Sequence, residues 1–166
     1  MNYKAPTIFF SRIKKLDDCD VSGIYYTREW ADDLLANDFI TERLSNNVLF
    51  GFSGKDLKFD DGLGLYDMRD ASFLCTNLRI FDGWLVGEFE ILDTPRGKNL
   101  IKAMRKQKRD REGFYNCVAI SATGSVICGN PPMIDRDTYS FGHFYFINRQ
   151  SRKYRRMAEY YKKVNK

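Results

Sequence analysis

One histidine serves the whole 166-residue chain, and that limits the acid–base chemistry open to it. His143 lies in SFGHFYF (140–146), and Ser121 ends the apolar run FYNCVAIS (114–121), just before Thr123-Gly124-Ser125. A serine hydroxyl becomes a nucleophile when a neighbouring imidazole takes its proton, and a glycine turn beside it can offer backbone N–H groups to an oxyanion. Ser121 and His143 are therefore the candidate catalytic pair. A lone histidine in an aromatic strand is more commonly a packed residue bonded to a neighbour, so spacing alone leaves both readings open. The cysteines, Cys19, Cys75, Cys117 and Cys128, are scattered without a CxxC pair. Asp17, Asp18 and Asp20 lack the alternating spacing and distal glutamate of a calcium loop. No metal and no cofactor are expected, and the cysteines are expected to be buried free thiols.

The elements that must position the pair follow from periodicity. Short strands are expected over Thr7–Phe10, Val21–Tyr26 and Val48–Phe52, and a loop over 53–64. Thr27 to about Asn37 reads as a helix capped by Thr27, with packing continued by Phe39, Ile40 and Leu44. Ser72–Phe81 and Trp84–Leu92 form a hairpin about Asp82-Gly83. Its second strand sets Leu85, Gly87, Phe89 and Ile91 on one face. The period then changes. Thr94 can cap a helix and Pro95 suits its first turn, so a helix is expected from Thr94 to about Arg109. Phe114–Ser121, Val126–Cys128 and Thr138–Ile147 read as strands, with 129–132 a loop. Ser151 caps a final helix in which Tyr154, Met157, Tyr160 and Tyr161 share a side. The total is about seven or eight strands with about three helices.

Charge is unevenly placed. The net charge is +5, yet Arg149–Lys166 holds eight Lys/Arg against Glu159, leaving the first 148 residues slightly acidic. A second run, Arg96–Arg111, holds eight Lys/Arg against Asp110. Two basic elements on an acidic body suit either nucleic acid or an acidic protein neighbour, unless they are simply solvated helix faces. The candidate contact residues are Arg96, Lys98, Lys102, Arg105 and Arg109 in the first run. In the second they are Arg152, Lys153, Arg155, Arg156, Lys162 and Lys163. No RNP, KH or zinc motif accompanies them, so charge alone supports nucleic acid. No run reaches the roughly 18–20 apolar residues of a membrane span, and Ile8–Phe10 is too short for a secretory signal. A protein inside the cell with no membrane contact is expected.

Four segments then carry a resemblance. NVLFGFSGKD (47–56) resembles an early Gly-Glu-Leu-Gly-His-Pro-like segment of the prohead proteases of tailed bacteriophages, whose fold is shared with herpesvirus assemblins. ASFLCTNLRIFDGWLVGEFEILDTPRGKNL (71–100) resembles that family's stretch from a Ser-His pair to a helix opened by Thr-Pro-x-Gly. YNCVAISATGSV (115–126) and YSFGHFYFINRQ (139–150) resemble the strands of the nucleophile and of the third catalytic residue. ILDTPRGK is the most specific piece, and the resemblance spans residues 21 to 150.

The resemblance implies a single α+β domain with a mainly antiparallel, β-barrel-like core over 1–150. A basic helix or tail, 151–166, packs on it or extends from it. Ser121 falls at the nucleophile position and His143 at the third. The general base should follow Ser72, where Phe73 stands; Lys55-Asp56 and Ala122-Thr123 also depart from the family pattern. Phenylalanine cannot accept a proton, and a serine without its base loses most of its reactivity. The resemblance thus implies a phage head protein on an inactivated protease fold, an auxiliary or minor capsid or core component. Its partners would be the major capsid protein or other head proteins, and packaged DNA through the basic elements. It would belong to an oligomeric assembly, in the virion and in the host cytoplasm during assembly. The alternatives are a divergent maturation serine endopeptidase using Ser121 and His143, and a basic nucleic-acid-binding domain.

Overall fold

The computed structural model describes residues 7–53 and 70–164. In chain order the elements are β1 (Ile8–Lys15), β2 (Asp18–Cys19), β3 (Tyr25–Tyr26), α1 (Arg28–Ala36), α2 (Asp38–Ser45) and β4 (Phe50–Phe52). There follow β5 (Ala71–Phe81), β6 (Trp84–Ile91), α3 (Pro95–Met104), β7 (Val118–Thr123) and β8 (Val126–Ile127). The last are β9 (Met133–Ile134), β10 (Ser140–Phe146) and α4 (Arg152–Val164). A six-stranded sheet runs β1-β6-β5-β4-β10-β7, and a small one runs β2-β3-β9-β8. In the larger sheet only β4 and β10 are parallel. The class is α+β with a mainly antiparallel core, as expected.

The larger sheet curls until its two ends meet. Ser11 on β1 bridges Tyr115, just before β7, with Arg12 N–H donating to Tyr115 O (2.8 Å) and Tyr115 N–H to Phe10 O (2.7 Å). Cys117 N–H donates to the buried Ser11 hydroxyl (3.1 Å). Beyond that point side chains take over from backbone pairing. The Arg149 guanidinium donates to Asn116 Oδ1 (2.8 Å), Val118 O (3.2 Å) and Ile13 O (3.5 Å), spanning the seam. Arg12 is held between the Trp84 and Phe114 rings, each 5.1 Å away, and pairs with Asp110 (2.7 Å) and Glu112 (3.1 Å).

Inside the curl sits an aromatic cluster. Phe9, Phe73, Phe89 and Phe144 are buried, and the Phe89 ring lies 5.4 Å from each of the other three. Burying each ring contributes roughly 2–3 kcal/mol, and edge-to-face contacts add to that. The β5–β6 hairpin turns at Asp82 (φ 50°) and Gly83 (φ 76°), the primed-turn geometry that suits the twist of paired strands. Trp30, Ala31 and Leu34 of α1 are buried, and the Trp30 ring meets Tyr26 and Tyr139 edge-on.

Several expected boundaries move, each for a local reason. The Val21–Tyr26 strand shrinks to Tyr25–Tyr26, because Asp20 Oδ1 accepts from Ser22 N–H (2.9 Å) and Ile24 N–H (3.1 Å) and holds a loop there. A separate α2 appears because the Asn37 side chain accepts from Phe39 N–H and restarts the helix. The third helix ends at Met104, not Arg109. Gln107 N–H turns back to Met104 O, and Asp110 Oδ1 then accepts from Glu112 and Phe114 N–H to shape a loop that returns to the seam. Residues 54–64 of the expected loop lie outside the described residues. Cys75 and Cys117 are buried free thiols, while Cys19 and Cys128 are free but exposed.

Replacing Arg149 by alanine should lower stability by about 2 kcal/mol, since it leaves Asn116 and two seam carbonyls without their donor. Arg149→Lys should recover little, because an ammonium cannot reproduce the planar fork. Urea unfolding of the three proteins checks both statements.

Candidate functional site

The hairpin-to-helix motif is fixed to β5 and to the end of β4. Thr94 Oγ1 accepts from Gly97 N–H (3.0 Å), capping α3, and donates to Ala71 O (2.7 Å), pinning the helix to β5. Pro95 takes the first turn, where its missing N–H is not needed. Gly97 is required for close approach: a Cβ there would stand 1.9 Å from Leu92 O. Arg96 reaches Ser53 O (3.4 Å) and Asp70 (3.7 Å). Each residue of TPRG therefore has a structural task. Beneath the helix start lie two buried serines, whose hydroxyls are 2.6 Å apart; Ser53 N–H also donates to Ser72 Oγ (3.1 Å).

Ser121 and His143 are brought together by β7 and β10. They are directly opposed partners in the antiparallel ladder, so their side chains project from the same face of the sheet. A bulge between Phe141 and His143 sets that register, and Gly142 permits it: a Cβ at 142 would meet Ser121 O at 2.7 Å. Ser121 is half-buried and His143 is 4% exposed. The His143 ring packs edge-on against Phe52 of β4 (5.5 Å) and lies 6.4 Å from Tyr145. Burial pushes the imidazole pKa down to about 4, so at neutral pH the ring is uncharged and able to accept a proton.

Phe73 stands elsewhere. Its ring belongs to the interior cluster with Phe9 and Phe89, and Phe144, the strand neighbour of His143, contacts that same cluster. Strand alternation therefore sets Phe73 on the inner face and the Ser121–His143 pair on the outer one. Of the turn expected to offer oxyanion donors, Ser125 N–H already donates to Thr138 Oγ1 (2.9 Å). Among the described residues no three His, Cys, Asp or Glu side chains cluster to hold a metal ion. The buried serine pair and Phe52 were not singled out from the sequence. A glycine between two phenylalanines at 50–52 was the signal that backbone approaches a bulky ring there.

The basic candidates fall into two groups. Arg96 is half-buried and engaged as above, Lys98 pairs with Asp93 (3.6 Å), and Lys102 is exposed on α3. Arg105 caps the helix, and Arg109, in the following loop, lies 6.0 Å over the Tyr115 ring. Arg152, Lys153, Arg155, Arg156, Lys162 and Lys163 are all exposed on α4, which Ser151 caps through Tyr154 N–H (3.2 Å). No residue of α4 is buried. No helix among the described residues is long and apolar enough to cross a membrane.

Among the described residues the fold is α+β, with a curled, mainly antiparallel six-stranded sheet, a small second sheet and four helices. No family model matches the sequence, and no curated protein matches it. Among solved structures, the bacteriophage T4 capsid assembly protease gp21 is similar over 87% of this chain and 83% of that one, with a TM-score of 0.68 and 12% identity. At that identity the likeness is one of fold.

A buried imidazole with a lowered pKa makes stability depend on pH. The unfolded ring binds a proton near pH 6.5 and the folded one only near 4, so stability falls as pH drops through that window. The loss attributable to this ring should reach up to roughly 3 kcal/mol. Urea unfolding between pH 7 and 4.5 should show the wild type losing more than His143→Phe over the same range.

Proposed function

We propose that this chain is a bacteriophage head-assembly protein that keeps the prohead-protease framework without its proteolytic chemistry. On this reading it is an auxiliary or minor capsid or core component that works beside the major capsid protein or other head proteins. The head-assembly part draws on the fold likeness to a capsid assembly protease. The observation that carries the loss of chemistry is that the chain has one imidazole, His143, buried and weakly basic. A protease of this type needs a base and a group to orient it, and one histidine cannot fill both positions. Phe73, at the position the resemblance gives to the base, is an interior ring. Ser53 and Ser72 do not take protons at neutral pH. Loss of the base from a serine triad removes several orders of magnitude of rate.

A second reading has its own support. Ser121 and His143 are opposed in register, which puts a hydroxyl and an imidazole side by side on one face of the sheet. On that reading the protein is a divergent maturation endopeptidase. A base of pKa about 4 accepts a proton only weakly, which counts against it.

Treating the purified protein with a fluorophosphonate probe separates the two. The expected result is no labelling above that of Ser121→Ala; labelling confined to the wild type would make the chain an active serine hydrolase. The head-assembly part is checked by mass spectrometry of purified proheads and virions of the phage encoding the chain. It should be present in at least one of them, and absence from both would remove the role.

A further inference from the structure

The two basic runs, far apart in sequence, meet on the rim of one cavity. A cavity of about 710 Å3 opens between α3, the end of β10 and α4. Its walls are apolar: Leu100 and Ala103 from α3, Phe146 and Ile147 from β10 and its exit, Tyr154 and Met157 from α4. An amphipathic helix is normally held by burying its apolar edge, yet α4 buries no residue and Met157 is 37% exposed. The helix thus roofs a wettable apolar space that its own side chains leave unfilled. Apolar area of that kind gains free energy when apolar side chains enter and release the water.

One cation lines the cavity and others stand beside it. Asn99 and Ala103 line the cavity, helical spacing sets Lys102 beside them on α3, and Lys106 follows in the turn after the helix, its N–H donating to Ala103 O (3.2 Å). On α4, Lys153 lines the cavity and Arg156 follows it at i+3. All four are exposed, and among the described residues none forms an ion pair. By contrast Arg12, Lys14, Lys15, Arg96, Lys98 and Arg136 each have a carboxylate partner. The four cations beside this apolar space thus carry charge that no carboxylate among the described residues neutralises.

We infer that this cavity docks an acidic amphipathic segment of a partner protein. Its apolar side chains enter between α3 and α4, and its Asp and Glu residues meet Lys102, Lys106, Lys153 and Arg156. Charge complementarity selects an acidic partner, and the apolar walls select protein over nucleic acid. A phosphate backbone would use the cations and leave the walls wet. The segment reads the surface in the manner of a helix in a groove, with anchors at i, i+3, i+4 and i+7. The inference stands on this geometry and on neither the catalytic nor the head-assembly reading.

The test uses the full chain and a fluorescein-labelled helical peptide with leucines at i, i+3, i+4 and i+7 and glutamates elsewhere, followed by anisotropy. The peptide should bind at low salt and weaken as salt screens the rim. Replacing its leucines by alanine should weaken binding at least about tenfold, as should Ala103→Trp, which fills the cavity. Lys102→Glu combined with Lys153→Glu, a charge reversal that keeps the apolar lining residues, should do the same. No binding at low salt would overturn the inference, as would equal binding of the leucine and alanine peptides. A duplex DNA that displaces the peptide while Ala103→Trp changes nothing would make the rim a nucleic-acid surface instead.

Discussion

The structure depends on closing a six-stranded sheet on itself. Its ends, β1 and β7, would otherwise present rows of unsatisfied backbone groups, which invite association with other strands. Closure is made by backbone at Ser11 and Tyr115 and completed by the Arg149 side chain where the strands diverge. That one requirement explains much of the chain between α3 and β7. The helix stops at Met104 so that the Asp110 loop can be gripped by Arg12 and bring Tyr115 back to β1. With Tyr115 fixed, β7 has its direction, and β10 can set His143 opposite Ser121.

Strand alternation then divides the wall between two jobs. The inner face holds phenylalanines in mutual contact, a layer that large rings fill better than polar groups. The outer face near β4, β7 and β10 carries His143, Ser121 and Phe52. Phe73 belongs to the first layer, so its role in stability follows from its packing whatever ancestry is assigned to its position.

The sequence made the hairpin, the caps at Thr27, Thr94 and Ser151, and the predominance of strands legible, because each rests on local rules: turn residues, capping hydroxyls and alternation. It also placed Ser121 and His143 on strands, though their direct opposition depends on a bulge at Gly142 that no periodicity reveals. The early end of α3 was hidden because Arg105 to Arg109 are good helix formers; a tertiary demand, the return to the seam, overrides them. The second sheet was mostly missed because strands of two residues leave no pattern to read. The buried Ser53–Ser72 pair and the cavity between α3 and α4 arise from segments distant in the chain, and only the folded molecule brings them together.

The Ser11–Cys117 contact at the seam joins residues separated by 106 positions, and Arg149 reaches Ile13 across 136. Contacts of that span pay a large loop entropy before they are rewarded. During synthesis β1 emerges well before Tyr115, the residue that covers its second edge. In the interval β6 can shield one side of β1, while the other stays open to any strand nearby. A nascent chain stalled before Tyr115 therefore keeps that edge uncovered and is the species most exposed to misassembly.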